Sequence, residues 1–371
     1  VAFDDEAYRK WGHGRFVSQR DYMPNHYALG YLCLGGIRYL HGSPTLMGDA
    51  LQISARNPLK LSSVYDKIEE ASGKKFQDAF MEVCDTLGKI WKAEADSRAP
   101  YIPREQVTPE PKLYTDYSSV IFAGDGMYAV KNGFVHTPTL VRISPDGKEK
   151  FLAYMSPQSS ELRADAEGGL WWSENRNDER WSLETGSAVR RRKGMKTRRI
   201  GNNSLRYNPA PSPVGSVFSV SEYRITGETG LNILDDSGCI LQTFDVPDSL
   251  QIVQTAWMTE KDIYASAISE NGYGIYHMDI QEGIWTNILH PQPVMIKDLR
   301  TYGEVLTFVS DRTGVNELYH LNPTTGDLRQ KTSTRHGGES FCYSPDGEYL
   351  YYTSPTMKGK LLFRTRTEDL F

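Results

Sequence analysis

A chain of 371 residues, 39% hydrophobic and 24% charged with a formal net charge of −5, is long enough for more than one core and too evenly composed for a disordered, collagen-like or small disulfide-bound protein. Its mildly acidic balance, with a pI near 6.0, argues against general nucleic-acid binding. The longest nearly unbroken apolar stretch, Tyr27 to Ile37, falls far short of the ~20 residues that span a bilayer.

Residues 1–96 read as a small α-helical domain. Pro24 to Leu40 opens on a proline that a first helical turn tolerates, and its apolar residues cover most of the helix circumference, which predicts the most buried helix of the domain. Gly30, Gly35 and Gly36 each weaken that helix by up to about 1 kcal/mol, so they are read as places where a neighbouring helix comes close. Shorter helices are expected at Thr45 to Ala55 and Ser62 to Ala71. In Phe76 to Trp91 the residues Phe76, Phe80, Val83, Leu87 and Ile90 recur at steps of 4, 3, 4 and 3, one apolar stripe along a packing helix. Four prolines (Pro100, Pro103, Pro109 and Pro111) then make 97–112 a linker, because they remove backbone donors and favour extended chain.

From Leu113 onward the pattern changes to short β-branched and aromatic runs separated by Gly, Asp and Asn turns. Candidate hairpin turns fall at Gly126, Gly168, Gly215, Lys261, Gly303 and Gly347, at intervals of 42, 47, 46, 42 and 44 residues. A second series follows 18 to 23 residues behind, at Gly147, Gly186, Gly238, Gly283 and Gly326. Two turns per period imply four strands, the arithmetic of a propeller blade, so 113–371 is predicted to be an all-β six-bladed propeller. The second series lacks a sixth member because the chain stops after the third strand of the last blade. Leu113 to Ser119 is expected to supply the missing outer strand, closing the ring between the N- and C-terminal ends and covering an open edge.

Four cysteines (Cys33, Cys84, Cys239, Cys342) show no CxxC spacing and are expected as buried free thiols. A Cys33 to Cys84 bridge is the alternative in an oxidising compartment. The chain opens at Val1 without a charged-then-apolar leader, which reads as a mature product or a piece of something longer.

Ser310-Asp311-Arg312-Thr313-Gly314-Val315-Asn316-Glu317-Leu318-Tyr319 and Ser344-Pro345-Asp346-Gly347, with a second Ser-Pro-Asp-Gly at 144–147, resemble the WD40-like repeat of TolB-type six-bladed propellers. In that tight turn Pro fixes φ, Asp bonds its own backbone and Gly accepts a positive φ. Residues 22–96 resemble the helical segment that follows the catalytic helix of gluzincin-type zinc peptidases, through Leu29-Gly30-Tyr31 and Tyr39-Leu40-His41-Gly42. The two resemblances together imply a large bacterial envelope protein, periplasmic or secreted, with any metal motif upstream of this chain.

The residues themselves carry little catalytic signal. The eight histidines (13, 26, 41, 136, 277, 290, 320 and 336) include no pair four apart, so HExxH is absent, and His13 and His26 are at best remote contributors. No Gly-x-Ser-x-Gly elbow occurs, and the Ser-Pro-Asp-Gly turns match only the Ser-x-Asp core of a sialidase Asp-box. No metal or cofactor is expected. Counting back from the first-series turns places Arg163, Asn208, Gln254, Asp298 and Glu339 near the mouth of the central channel, with Asp165 and Arg300 beside them. Such polar groups need a partner, either channel water or a ligand. The run Arg190, Arg191, Arg192, Lys193, Lys196, Arg198 and Arg199 puts seven cations in ten residues, either a solvated loop or a patch for an anionic partner. Trp171, Trp172 and Trp181 before it are expected to pack between blades.

The expectation is a noncatalytic scaffold that binds a protein or peptide at one face of the propeller, within an exported envelope protein. The alternative is the substrate-gating portion of a zinc metallopeptidase whose catalytic domain precedes this chain in the same polypeptide. A glycan-active enzyme is a third, on fold analogy alone.

Overall fold

The computed structural model describes residues 1–4, 6–13, 26–124, 126–177, 180, 185–215, 217–224, 226–247 and 249–371. They form two compact units, Val1–Ala99 and Pro100–Phe371.

Among its described residues the first unit holds a 3-10 turn (Ala7–His13) and four α-helices: α1 (His26–His41), α2 (Leu46–Arg56), α3 (Ser63–Ser72) and α4 (Phe76–Ser97). Helix α4 runs six residues past Trp91 and is the most buried, sinking Ala79, Phe80, Val83, Cys84 and Ala95. The expectation for α1 is corrected. Among its described side chains only Cys33, Gly36 and Ile37 are buried, while Tyr27, Tyr31 and Tyr39 are 77%, 83% and 73% exposed. A tyrosine counts as apolar in a pattern, yet its hydroxyl lets it face water. Of the three glycines, Gly36 is a close approach, since a Cβ there would sit 2.2 Å from Val83 Cγ1, whereas nothing lies within 4 Å of that position at Gly30 and only the Tyr31 ring edge, at 4.0 Å, near Gly35. Cys33 and Cys84 are buried free thiols, Cys342 is half-buried and Cys239 is exposed, which corrects the burial expected of the last.

The second unit begins with β1 (Glu105–Gln106) and continues as six four-stranded antiparallel sheets. Blade 1 is β2 (Thr115–Ala123), β3 (Gly126–Gly133), β4 (His136–Ile143) and β5 (Glu149–Tyr154); blade 2 is β6 (Arg163–Ala164), β7 (Leu170–Asn177), β8 (Thr185–Lys193) and β9 (Lys196–Ser204). Blade 3 is β10 (Arg206–Pro211), β11 (Val217–Tyr223), β12 (Thr229–Asp235) and β13 (Ile240–Asp245); blade 4 is β14 (Gln251–Trp257), β15 (Asp262–Ser269), β16 (Gly272–Asp279) and β17 (Ile284–Gln292). Blade 5 is β18 (Ile296–Tyr302), β19 (Val305–Ser310), β20 (Glu317–Leu321) and β21 (Leu328–Gln330). Blade 6 is β22 (Glu339–Tyr343), β23 (Tyr349–Thr356), β24 (Gly359–Arg366) and, from the other end of the chain, β1. The first strands of successive blades adjoin one another around a central channel, those of blades 5 and 6 through Lys297 and Glu339.

The closing strand is therefore not Leu113 to Ser119. Thr115–Ala123 is committed to blade 1, paired with β3 from Thr115 opposite Gly133 to Ala123 opposite Gly126. The open edge of β24 is covered instead by Glu105 and Gln106, opposite Arg364 and Phe363, inside the segment read as a linker. An edge strand needs donors on one side only, so Pro103 and Pro109 do not forbid it. Arg364 donates two bonds to the Glu105 carboxylate at 2.8 and 2.7 Å, and the amides of Ile102 and Val107 donate to Ser333 and Leu362.

Five of the six first-series turns lie between first and second strands, Gly126 being instead the first residue of β3, and four of the second series lie between third and fourth. Gly186 is the exception. It is paired within β8 opposite Arg176, and blade 2 turns at Gly194, φ +59°, after a longer third strand. The core sits between blades rather than within them. Trp172 and Leu162 of blade 2 meet Ile121 and Leu140 of blade 1, while Trp171 meets Phe218 of blade 3 at a ring separation of 4.7 Å. Trp181 lies outside the described residues. Because each middle strand is covered on both faces, β12 buries six residues in succession and not alternate ones.

Candidate functional site

Five of the six inner strands carry a register shift near their midpoints, at 118–121, 207–210, 252–254, 297–300 and 339–342. In four of them the extra residue adopts a left-handed backbone: Ser119 (φ +53°), Asn208 (+53°), Asp298 (+54°) and Ser340 (+52°). A bulge of this kind re-aims side chains and frees backbone donors from the ladder. The neighbouring blade takes them up. Ser119 N donates to Ser340 Oγ at 2.9 Å, Ser119 Oγ to Glu161 at 2.5 Å, Asn208 Nδ2 to Val253 O at 2.6 Å, and Leu299 N to Gln254 Oε1 at 3.1 Å. The inner strands are thus stitched blade to blade by side chains.

Blades 2 and 5, diametrically opposed in a six-membered ring, carry the same tripeptide pattern here: Glu161-Leu162-Arg163 and Asp298-Leu299-Arg300. Both leucines are fully buried, which turns the flanking charges toward the axis. Asp298 Oδ1 accepts from Arg300 Nε at 2.8 Å and lies 3.6 Å from Arg163 Nη1, so one carboxylate bridges the channel; these side chains are 8%, 13% and 12% exposed. Burial and the Asp298 charge raise the Glu161 carboxyl above the usual carboxylate range. Burial, then the neighbouring Arg300 charge, brings Arg163 down to about 10. Burial works against the Arg300 charge too, but Asp298 and Glu161 outweigh it and hold that guanidinium firmly ionised.

Beyond this charged floor the channel opens into a cavity of about 390 Å³ on the face where first strands turn into second strands. Every blade contributes one residue at the equivalent inner position: Ile121, Arg163, Ala210, Thr255, Arg300 and Cys342. Trp257, Tyr302, Phe341 and Tyr343 form its aromatic wall and rim. Tyr302 and Tyr343 stack with centroids 4.0 Å apart, the Tyr343 hydroxyl pairs with His320 Nε2 at 2.9 Å, and Trp257 Nε1 donates to Ala210 O at 2.9 Å. Among the described residues, the buried Nη2 of Arg300 finds no hydrogen-bond partner.

Of the residues expected at this mouth, Arg163, Asp298 and Arg300 come together, and Asn208 and Gln254 belong to the stitching ring. Glu339 does not join them. It sits toward the opposite end of the inner strands, accepting from Lys297 (2.7 Å), Lys360 (2.6 Å) and Asn316 (2.9 Å). Asp165 shapes the first turn of blade 2, taking the Gly169 amide, Trp171 Nε1 and Arg191. The basic run is a hairpin, not a loop, formed by β8 and β9. Arg190 pairs with Glu174, Arg191 with Asp165 and Glu167, Lys193 with Glu167 and Arg198 with Asp236, while Arg192 is buried. Residues 193–199 are all exposed, with Met195 at the tip 93% accessible. Third strands end on the same face as first strands, so this tip and the cavity share one face of the ring.

The titratable groups here are held inert. Asp298 is already engaged by two guanidiniums, burial raises the Cys342 thiol, and burial followed by the Lys331 charge lowers His320 to about 4. Among the described residues no three His, Cys, Asp or Glu side chains converge to hold a metal ion, and no helix is long and apolar enough to cross a membrane. The side chains of His13 and His26 lie outside the described residues. Sequence reasoning missed Glu161, Ser119 and the Tyr302–Tyr343 stack. The repeated acid-Leu-Arg would have found the first.

No protein-family model and no curated protein matches the chain. Solved structures similar to it include TolB from Acinetobacter baumannii, 15% identical over 81% of this chain and 69% of that one with a TM-score of 0.49. The putative TolB from Agrobacterium tumefaciens is 17% identical over 57% and 74% with a TM-score of 0.44. The β-propeller domain of the Trilobed protease from Pyrococcus furiosus is 12% identical over 68% and 95% with a TM-score of 0.46.

Proposed function

We propose that this chain is a noncatalytic binding module that engages a protein or peptide through the channel mouth on the face of the first-to-second-strand turns. The observation that carries this reading is the cavity to which all six blades contribute, combining an aromatic rim with a buried guanidinium whose Nη2 has no partner among the described residues. Concave, largely apolar sites with a few convergent polar groups are where ligands bind. A location in the bacterial periplasm or outside the cell rests on the resemblance of the Ser-Pro-Asp-Gly repeats to TolB-type propellers.

The test is selection from a displayed library of random twelve-residue peptides against the immobilised full chain. Binders whose affinity drops at least tenfold on Tyr302→Ala, a rim residue 40% exposed, in a variant that melts like the parent, support the proposal. Binders indifferent to Tyr302→Ala place the interface elsewhere.

A second reading, a substrate-gating partner to an upstream zinc peptidase, draws support from the exposed tyrosine face of α1, which another folded segment would cover. Reading the gene upstream of Val1 decides it: an HExxH with a glutamate ligand shortly after it supports this reading, and its absence removes it.

A further inference from the structure

We infer that the group seated in the channel mouth is a carboxylate, and that the ligand is an acidic peptide segment running from Arg300 and Arg163 outward over blade 2 to its basic hairpin. This rests on the binding-module reading above and adds the chemistry of the ligand.

Three observations converge on it. The first is the unfilled donor. Arg300 spends Nε on Asp298 and leaves Nη2 buried at the cavity floor, and a buried guanidinium N–H is costly until an anion accepts from it. The second is charge. Arg163 and Arg300 approach from opposite blades and both lean on Asp298. The remaining acid, Glu161, is the group whose ionisation burial opposes, and it accepts a hydrogen bond from Ser119. Burial and the Arg300 charge likewise oppose the Arg163 cation, so an incoming anion beside the two guanidiniums offsets both. The third is shape. The cavity of about 390 Å³ is lined by Ile121 and Phe341 together with Thr255, Thr307 and Ser344, which gives room and donors for a carboxylate and the residue that carries it.

The hairpin extends the same preference along the face. Its third and fourth strands lie two to three inter-strand spacings from the axis strand, about 10–14 Å, and an extended hexapeptide reaches roughly 20 Å. Asp165 and Glu167 on the turn between are taken by Arg191 and Lys193, and Arg198 meets Asp236, so Lys196 at the exposed tip is the cation that reaches toward a ligand on this face. Trp257, Tyr302 and Tyr343 supply apolar and stacking contact to whatever side chains flank the carboxylate.

The experiment measures fluorescence anisotropy of labelled hexaglutamate and hexaglutamine on the full chain at 50 and 300 mM salt. The expected result is at least tenfold tighter binding of hexaglutamate at low salt, weakened ten- to a hundredfold by Arg300→Gln and about threefold by Lys196→Glu. Lys196 is fully on the surface, so its variant folds whatever happens at the channel, and together with the peptide pair it decides the question if Arg300→Gln fails to melt like the parent. Equal binding of the two peptides, or hexaglutamate binding indifferent to Lys196→Glu and to a folded Arg300→Gln, overturns the inference. Library binders that need Tyr302 yet carry no acidic residue overturn it while leaving the binding module standing; a library without any Tyr302-dependent binder removes both.

Discussion

Asp298→Asn isolates what the channel bridge contributes. Asparagine keeps the shape of the side chain and tolerates the left-handed φ of +54°, so the substitution removes charge and little else. Two guanidiniums, one at 2.8 Å and one at 3.6 Å, lose their shared counter-ion at a site where every participant is less than a sixth exposed. At an effective dielectric of 20 each contact is worth about 4 kcal/mol gross. Desolvation already offsets much of that, but the offset is not recovered when one partner goes, and breaking a buried pair costs about 3–5 kcal/mol. At about 2–4 °C per kcal/mol for a unit of this size, the propeller transition should fall by roughly 10 °C in differential scanning calorimetry at pH 7. The double variant Asp298→Asn/Arg163→Gln should regain part of the loss, because it removes one of the two stranded cations. A drop below about 3 °C for the single variant, or a double variant no better than it, refutes the account of the charged floor as a coupled unit.

Other predictions follow from single contacts. In α1, Gly30→Ala should raise the stability of the helical unit by about 0.5–1 kcal/mol, while Gly36→Ala should lower it by about 1–3 kcal/mol by driving a methyl into Val83; urea unfolding followed by Trp91 fluorescence reads both signs. Of the two Ser-Pro-Asp-Gly turns, Gly147→Ala should cost clearly more than Gly347→Ala. Both glycines have positive φ, but a Cβ at 147 would sit 2.2 Å from the Val107 carbonyl, whereas at 347 it meets only the Tyr302 hydroxyl at 3.4 Å, and paired melting curves test the order. His320, held neutral down to about pH 4 by burial and then by Lys331, contributes stability that is complete above its ordinary value near 6.5 and is lost as pH falls from 6.5 toward 4. His320→Gln retains an acceptor for Tyr343 and should flatten that part of the stability profile; identical wild-type and variant slopes between pH 4 and 7 contradict the assignment.

Blade number and turn positions were legible because a hairpin that needs positive φ demands glycine, and Gly147, Gly168, Gly215, Gly303 and Gly347 all adopt it. Gly186 misled for the opposite reason, since a glycine inside a strand looks the same in a string of letters as one in a turn. The closing strand was illegible in principle: two residues between prolines have no periodicity, and their pairing is fixed by the unfilled edge of β24, which exists only in three dimensions. At the mouth, counting from turns reached Arg163, Asp298 and Arg300 but also swept in Glu339, because the count ignores the bulges that set which way each side chain leaves its strand. The acid-Leu-Arg pattern of blades 2 and 5 was visible throughout. Its meaning depended on knowing that those two blades face each other.

The pairing of Glu105 with Arg364 joins residues 259 apart in the chain. Nothing near the start of the propeller can lock it until β24 has been synthesised, so the wheel stays open while the blades are made and its closure is the last event. Hairpins within blades form early and locally; the seam waits for diffusion of the two ends, the slowest class of contact to make. Chains halted before Gly359 are therefore expected to accumulate as association-prone intermediates.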